Sequence, residues 1–444
     1  MRRRSAFALP ALALPLAPAL TGCDALGIGG GESTAPRLRS EVPRAEPGDP
    51  REAAGIAHAF TAAVLGAADP SAVNLVCSPL SVQFALAMAA LGARGATRSQ
   101  MEEVLGGSVE ELAASANALT AALARVGAAQ REAAKDRGGG QDDGRIVPDV
   151  AALADAAWLQ EDLPVEQAFL DALARDFGAG LHTADFGAPR GGVVAARDIN
   201  AFVDEATHGE IPELVTPDQL GRDTVAVLVN ALYLSGAWPV PLQVDQTPTA
   251  FTRADGGSVD VPLLRGSSTR WFEDDVCRAT ALTTGGELGL ALVQPLADVP
   301  AVVAAWREGR GEGIARMLDG LAEPSDVVVS VGLPAFDIEW GADLAELLAS
   351  IGLTEPFGSD ADFSGIVPGA DLGISAVIHE ALMTVDEKGM TAAAATAVAI
   401  AMRAGPMGEP RELVLDAPFL VVAYETTSRA PLVIGWVGDP TARG

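Results

Sequence analysis

From Glu387 to Gly405 the chain runs without a proline, through Gly389, Met390 and Thr391, the alanines Ala392, Ala393, Ala394 and Ala395, and on to Arg403. Alanine is the best helix former, whereas Thr396, Val398 and Ile400 prefer the extended backbone of a strand. Every residue of the run keeps its backbone N–H, so nothing bars it from a β-ladder. At alternate positions, Met390, Ala392, Ala394, Thr396, Val398, Ile400 and Met402 form one face, and Thr391, Ala393, Ala395, Ala397, Ala399, Ala401 and Arg403 the other. Bulk gathers on the first face and is stripped from the second, which suits a strand buried more deeply on one side. A surface helix built on the alanines accounts for the same residues, and the local pattern leaves both readings open.

The rest of the chain sets the context for that run. With 444 residues, 49% of them hydrophobic and 20% charged, there is ample material for a globular core in one large domain or two. The formal net charge of -29 repels nucleic acid and anionic polysaccharide, so neither is expected as a partner. At the N-terminus, Arg2-Arg3-Arg4 precedes an apolar stretch, Ala6 to Leu20, too short and too broken by proline to span a membrane as a stable helix. It ends in Leu20-Thr21-Gly22-Cys23, which resembles a bacterial lipobox. That resemblance implies cleavage before Cys23 and a lipid on its thiol; an ordinary secretory signal with a chance cysteine is the alternative. Residues 23–51 are rich in Gly, Pro, Ser and charge with no apolar period, and read as a lipid anchor and flexible tether. The expected organisation is therefore a signal peptide at 1–22, anchor and tether at 23–51, and a folded domain at 52–444. The expected location is outside the cytoplasm of a bacterium, on the periplasmic face or the cell surface, with the membrane touched only through the anchor. Cys77 and Cys277 lie in apolar surroundings and read as buried free thiols rather than a bridge.

No catalytic constellation emerges from the sequence. There is no Gly-x-Ser-x-Gly elbow, no phosphate-binding glycine loop and no Cys/His cluster at metal-ligand spacing, and His58, His182, His208 and His379 are scattered. The chain reads as a non-enzyme with neither cofactor nor metal.

Several stretches resemble the serpins, the family of serine protease inhibitors. Asn74-Leu75-Val76-Cys77-Ser78-Pro79-Leu80-Ser81-Val82 looks like the family's short strand leading into a buried helix. Leu91 to Thr97 continues that pattern. Val225 to Tyr233 is a near-continuous apolar run like a central strand of the family's main sheet, followed by Gly236 and Trp238, with Leu234 and Ser235 standing where Phe and Lys are usual. Glu387-Lys388-Gly389 and the small residues after it resemble the hinge of the family's reactive-centre loop. The likeness spans about Glu52 to Pro440.

This resemblance implies an α+β serpin fold with three β-sheets, about nine helices and an exposed loop over about 387–412. It implies a hinge at Glu387, Lys388, Gly389, Met390, Thr391, Ala392, Ala393, Ala394 and Ala395. The seventeenth position counted from Glu387 is Arg403, so the reactive bond would join Arg403 to Ala404. Ser78, Ser81, Asn230 and His379 match the family's shutter, a polar network beneath the main sheet. The function implied is irreversible inhibition of a trypsin-like serine protease, which is stranded as an acyl-enzyme when the cut loop enters the sheet. A cysteine protease as a second target is left open. The alternative is a non-inhibitory serpin, a protease substrate or a chaperone-like binding protein. A monomer is expected, and no heparin-like activator, since Val109 to Val126 carries only Arg125 as a base. Met390 stands where Thr or Ser is usual and is expected to face the core. Ala128 to Pro148, polar and glycine-rich, reads as a surface insertion atypical of the family.

Overall fold

The computed structural model describes residues 37–136, 148–370, 372–390 and 409–443. The main sheet takes seven strands: β1 (Arg37–Leu38), β2 (Val150–Gln160), β3 (Leu181–Ala184), β4 (Ala226–Ala237), β5 (Phe336–Asp343), β6 (Ala376–Val385) and β7 (Gly389–Met390), in the spatial order β1-β3-β2-β4-β7-β6-β5. A six-stranded sheet ends in Phe419–Glu425, Pro431–Val437 and Asn74–Cys77, and a four-stranded sheet includes Val329–Pro334 paired in parallel with Arg411–Val414. A two-stranded hairpin, Thr249–Thr252 with Ser258–Val261, stands beside the three larger sheets. The described residues also form ten α-helices, several of them short. The architecture is α+β, with three larger sheets, as the resemblance implies.

Burial on both faces explains the apolar run of β4. Val227, Val229 and Ala231 pack with Ile199 and Val203 of a helix that lies over the outer face, while Leu228 and Leu232 turn to the interior. Among the helices are α1 (Pro50–Ala67), α2 (Pro79–Ala90), α3 (Val109–Leu123), α4 (Ala128–Asp136) and α5 (Gly191–Ala206), the last being the covering helix. All twelve residues of α2 are buried, which is why its sequence is apolar around its whole circumference. The helix begins where Ser78 accepts a hydrogen bond from the Ser81 N–H at 3.4 Å, and Pro79 takes the first turn, where a missing N–H costs nothing.

Two segments depart from the expected organisation. Residues 37–49, the end of the stretch expected to be a flexible tether, lie on the body of the protein. Arg37 and Leu38 pair with His182 and Leu181 as an edge strand of the main sheet. Ser40 Oγ donates to Asp171 at 2.6 Å, Arg44 Nε to Asn117 Oδ1 at 2.7 Å, and Asn117 Nδ2 to the Ala45 carbonyl at 3.0 Å. This strap has no apolar period because its partners are polar groups, and composition therefore reads it as unstructured. Among the described residues, 37–49 are thus part of the folded body together with the stretch from 52 onward. Likewise, the first part of the expected surface insertion is helical, as α4. Cys77 and Cys277 are buried free thiols, both pushed by desolvation to a pKa of about 12.

Candidate functional site

The seven-stranded sheet forks between β4 and β6. At one end the two strands pair in parallel, from Ala376 opposite Val227 to Glu380 opposite Ala231. At the other end β7 lies between them and runs antiparallel to both, with Met390 opposite Gly236 on one side and Val385 on the other. Between these levels, among the described residues, Leu232–Ser235 and Ala381–Thr384 are not paired with each other.

A tight turn reverses the chain into that fork. Asp386 Oδ1 accepts from the backbone N–H groups of Lys388 and Gly389, at 2.7 and 2.9 Å. Trp238 clamps the turn through its backbone N–H to the Lys388 carbonyl at 2.8 Å and its Nε1 to the Asp386 carbonyl at 3.1 Å, and the Leu242 N–H reaches the Glu387 carbonyl at 2.7 Å. Position 389 admits only glycine, because a Cβ there would sit 2.2 Å from the Gly236 carbonyl oxygen. Met390 is 1% exposed and joins the core cluster of Met383, Val385 and Leu234, so this apolar side chain is housed without a buried polar group. Of the hinge residues expected from the sequence, Glu387, Lys388, Gly389 and Met390 are thus placed at the top of the sheet. Thr391, Ala392, Ala393, Ala394, Ala395, the Arg403–Ala404 bond and Cys23 lie outside the described residues.

Below the fork, Ser78, Ser81, Asn230 and His379 share one hydrogen-bond network. The Ser78 N–H donates to His379 Nε2 at 3.0 Å, His379 Nδ1 lies 2.8 Å from Asn230 Oδ1, and Ser81 Oγ donates to the same oxygen at 2.7 Å. Since Nε2 accepts, Nδ1 must carry the proton, and the imidazole is neutral. Complete burial pushes its pKa down to about 4. Asn230 Nδ2 then donates to Asp155 Oδ1 at 2.7 Å. Asp155, Asn230 and His379 stand in register across β2, β4 and β6, one polar residue per strand in a single row. Burial drives Asp155 well above the usual carboxylate range. Sequence reasoning missed Asp155, Asp386 and the clamp by Trp238. The available signals were an acid inside the apolar alternation of β2, and an Asp three residues before a Gly.

On the outer face at the fork, burial and the neighbouring Glu339 carboxylate raise Glu380 to about 7. Glu339 in turn meets Arg443 at 3.3 Å. The remaining histidines are structural: His58 Nε2 lies 3.0 Å from the Arg429 carbonyl, His182 stacks on Trp158 at 4.3 Å between ring centroids, and His208 packs against Tyr233.

Comparison with known proteins bears on this geometry. A family model described as "Serpin (serine protease inhibitor)" matches residues 57–440. Serpin-ZXA of Oryza sativa subsp. japonica is 31% identical over 390 residues, covering 83% of this chain and 90% of the relative. The leukocyte elastase inhibitor of Bos taurus is 30% identical, covering 83% of this chain and 93% of its own length. Among solved structures, the thermophilic serpin Tengpin in its native state superposes with a TM-score of 0.74 at 23% identity, covering 90% of this chain and 97% of that one; this likeness is one of fold.

Two outcomes are expected at this site. Asn230→Ala leaves His379 Nδ1–H, the Ser81 hydroxyl and Asp155 without their shared partner, at a cost of roughly 2–4 kcal/mol. The midpoint of thermal unfolding of the native protein should fall by several degrees, and an unchanged midpoint would show that the row does not hold the strands together. For Glu380 the sign follows from a raised folded-state pKa: the native state favours the protonated acid, so ionisation penalises it as pH rises from about 4.5 through about 7. Glu380→Gln removes that penalty. The thermal midpoint of the variant should exceed that of the parent by more at pH 8 than at pH 5, and a pH-independent difference would refute the assignment.

Proposed function

The chain belongs to the serpin family, and we propose that it is an irreversible inhibitor of a trypsin-like serine protease, attacked at the bond between Arg403 and Ala404. The observation that carries this reading is the seating of Gly389–Met390 between β4 and β6, antiparallel to both, in the direction that a strand entering the sheet would take. The Arg403 guanidinium supplies the planar, bidentate cation that a carboxylate-floored pocket selects. The protease serine attacks the Arg403 carbonyl, an ester forms, and the peptide nitrogen of Ala404 leaves with the proton passed on by the protease histidine. The cut loop then enters the sheet from Met390 onward and carries the esterified protease away from the site of attack. Distortion of the oxyanion hole there leaves the ester unhydrolysed.

Energetics favour that movement. About twelve newly paired residues at a net ~1 kcal/mol each supply on the order of 10 kcal/mol, comparable to the stability of a whole domain. The uncut state is accordingly held by a kinetic barrier rather than by equilibrium. The reading also includes a single-chain inhibitor that needs no polyanion activator, held at a membrane through a lipid on Cys23.

When the full chain is mixed with trypsin, a one-to-one complex that survives boiling in detergent is expected. Arg403→Leu should abolish it, lowering the rate of trypsin inhibition at least a hundredfold. Equal inhibition by the variant would mean that the reactive bond lies elsewhere, and a loop cut without any complex would mean a substrate-type serpin. The anchor is tested separately: Cys23→Ser should move the protein from the membrane fraction to the soluble fraction and remove fatty-acid labelling. Labelled lipid persisting on the variant would disprove that assignment.

A further inference from the structure

We propose that Asp149 is a positioning residue for the hinge, acting through Gly236 from the side of β4 opposite to β7. Asp149 is fully buried and immediately precedes β2, at the level of Gly236 in the β2–β4 ladder, since Val150 pairs with Ser235. Its carboxyl is held by two side chains from separate segments. The Thr284 hydroxyl donates to Oδ2, and Gln130 Nε2 of α4 lies 3.3 Å from Oδ1, while the Asp149 N–H donates back to Gln130 Oε1 at 2.6 Å.

The backbone closes around this group with no room to spare. A Cβ on Gly236 would lie 2.5 Å from Thr284 Cγ2 and 3.3 Å from Asp149 Oδ1, and one on Gly286 would lie 2.6 Å from Oδ2. The Gly285 N–H donates to the Ala237 carbonyl at 3.2 Å, which fixes the 284–288 turn to the end of β4. On the far side of that same end, Met390 pairs with Gly236 and Gly389 with Ala237. The carboxyl therefore sets where the last two residues of β4 stand, and those two residues set where the hinge can pair. Loss of the carboxyl leaves a void beside Gly236 and cuts the tie from Thr284 to the start of β2, leaving Thr284 only its bonds within the 284–288 turn, and the row that grips Gly389–Met390 loosens. The reach of α4 to this point also gives that helix a mechanical link to Gly389–Met390, through Gln130.

The consequence for inhibition rests on the reading that the hinge leads the loop into the sheet, whereas hinge pairing itself does not. Hydrogen exchange on the full chain separates the two. Asp149→Ala should speed exchange of the Gly389 and Met390 amides at least tenfold while leaving Val227 to Ala231 within threefold of the parent. Asp149→Asn keeps the volume; its amide oxygen can accept from Gln130, and its amide nitrogen can donate to the Thr284 hydroxyl once that turns its proton to the Leu288 carbonyl, so all of these amides should stay within threefold. Should Asp149→Ala fail to fold, Thr284→Val removes the donor at nearly constant volume and is expected to give the same local effect. Unchanged exchange at 389–390 in the folded variant, or an equal rise at Val227 to Ala231, overturns the proposal. Where the parent traps trypsin, Asp149→Ala should also raise the number of inhibitor molecules consumed per protease at least threefold without altering the rate of loop cleavage by more than twofold. A parent that forms no complex, with the exchange pattern as stated, would refute the inhibitor reading and leave the positioning role standing.

Discussion

The rest of the molecule depends on a strand edge that two neighbours do not give each other. β4 and β6 share a ladder only at one end, and backbone N–H and C=O groups inside a protein are costly to leave unbonded. A sheet with such a fork must be braced from several directions. The 386–389 turn, clamped by Trp238, wedges the top; the row Asp155–Asn230–His379 ties the strands below; and α5 covers the outer face with Ile199 and Val203. The fully buried α2 supports the fork from beneath, and it presents Ser78 and Ser81 to the row at its own N-terminus, so helix start and sheet brace are one device.

The polar row is also arranged to carry little charge. A neutral imidazole, an amide, two hydroxyl-bearing residues and a carboxyl driven toward its protonated form face one another. Separating two strands lined by neutral groups costs far less than exposing an ionised pair to a low-dielectric interior. The carboxyl of Asp149, also raised by burial, follows the same rule at the other end of the fork. Buried polarity therefore specifies which residues oppose one another without making the sheet immovable.

Much of this was legible from residues alone, because burial on two faces writes a long apolar run. Val225 to Tyr233 announced β4, and Ser78-Pro79 before an apolar stretch announced the start of α2. Met390, expected to face the core, does so where the chain turns into the fork. What escaped detection is held by long-range hydrogen bonds instead of hydrophobic period. The strap at 37–49 is fixed by Asp171 and Asn117, which are distant in sequence and leave no local trace. Asp155 and Asp149 carry no signal of their partners in the sequence, and only the register of β2 against β4 sets them beside Asn230 and Gly236.

The fork has a direction of tearing. The seam between β4 and β6 is parallel and five residue pairs long, whereas its flanking seams, β2 with β4 and β5 with β6, are antiparallel and ten and eight pairs long. Slanted parallel bonds hold slightly less per residue than straight antiparallel ones. Stress across the sheet would therefore part it along one predetermined line, like a perforation, with the two halves keeping their own ladders intact. A strand entering antiparallel to both lips would mend the tear with two of the stronger seams in place of the weaker one, which makes the opening self-sealing and, once mended, hard to reverse.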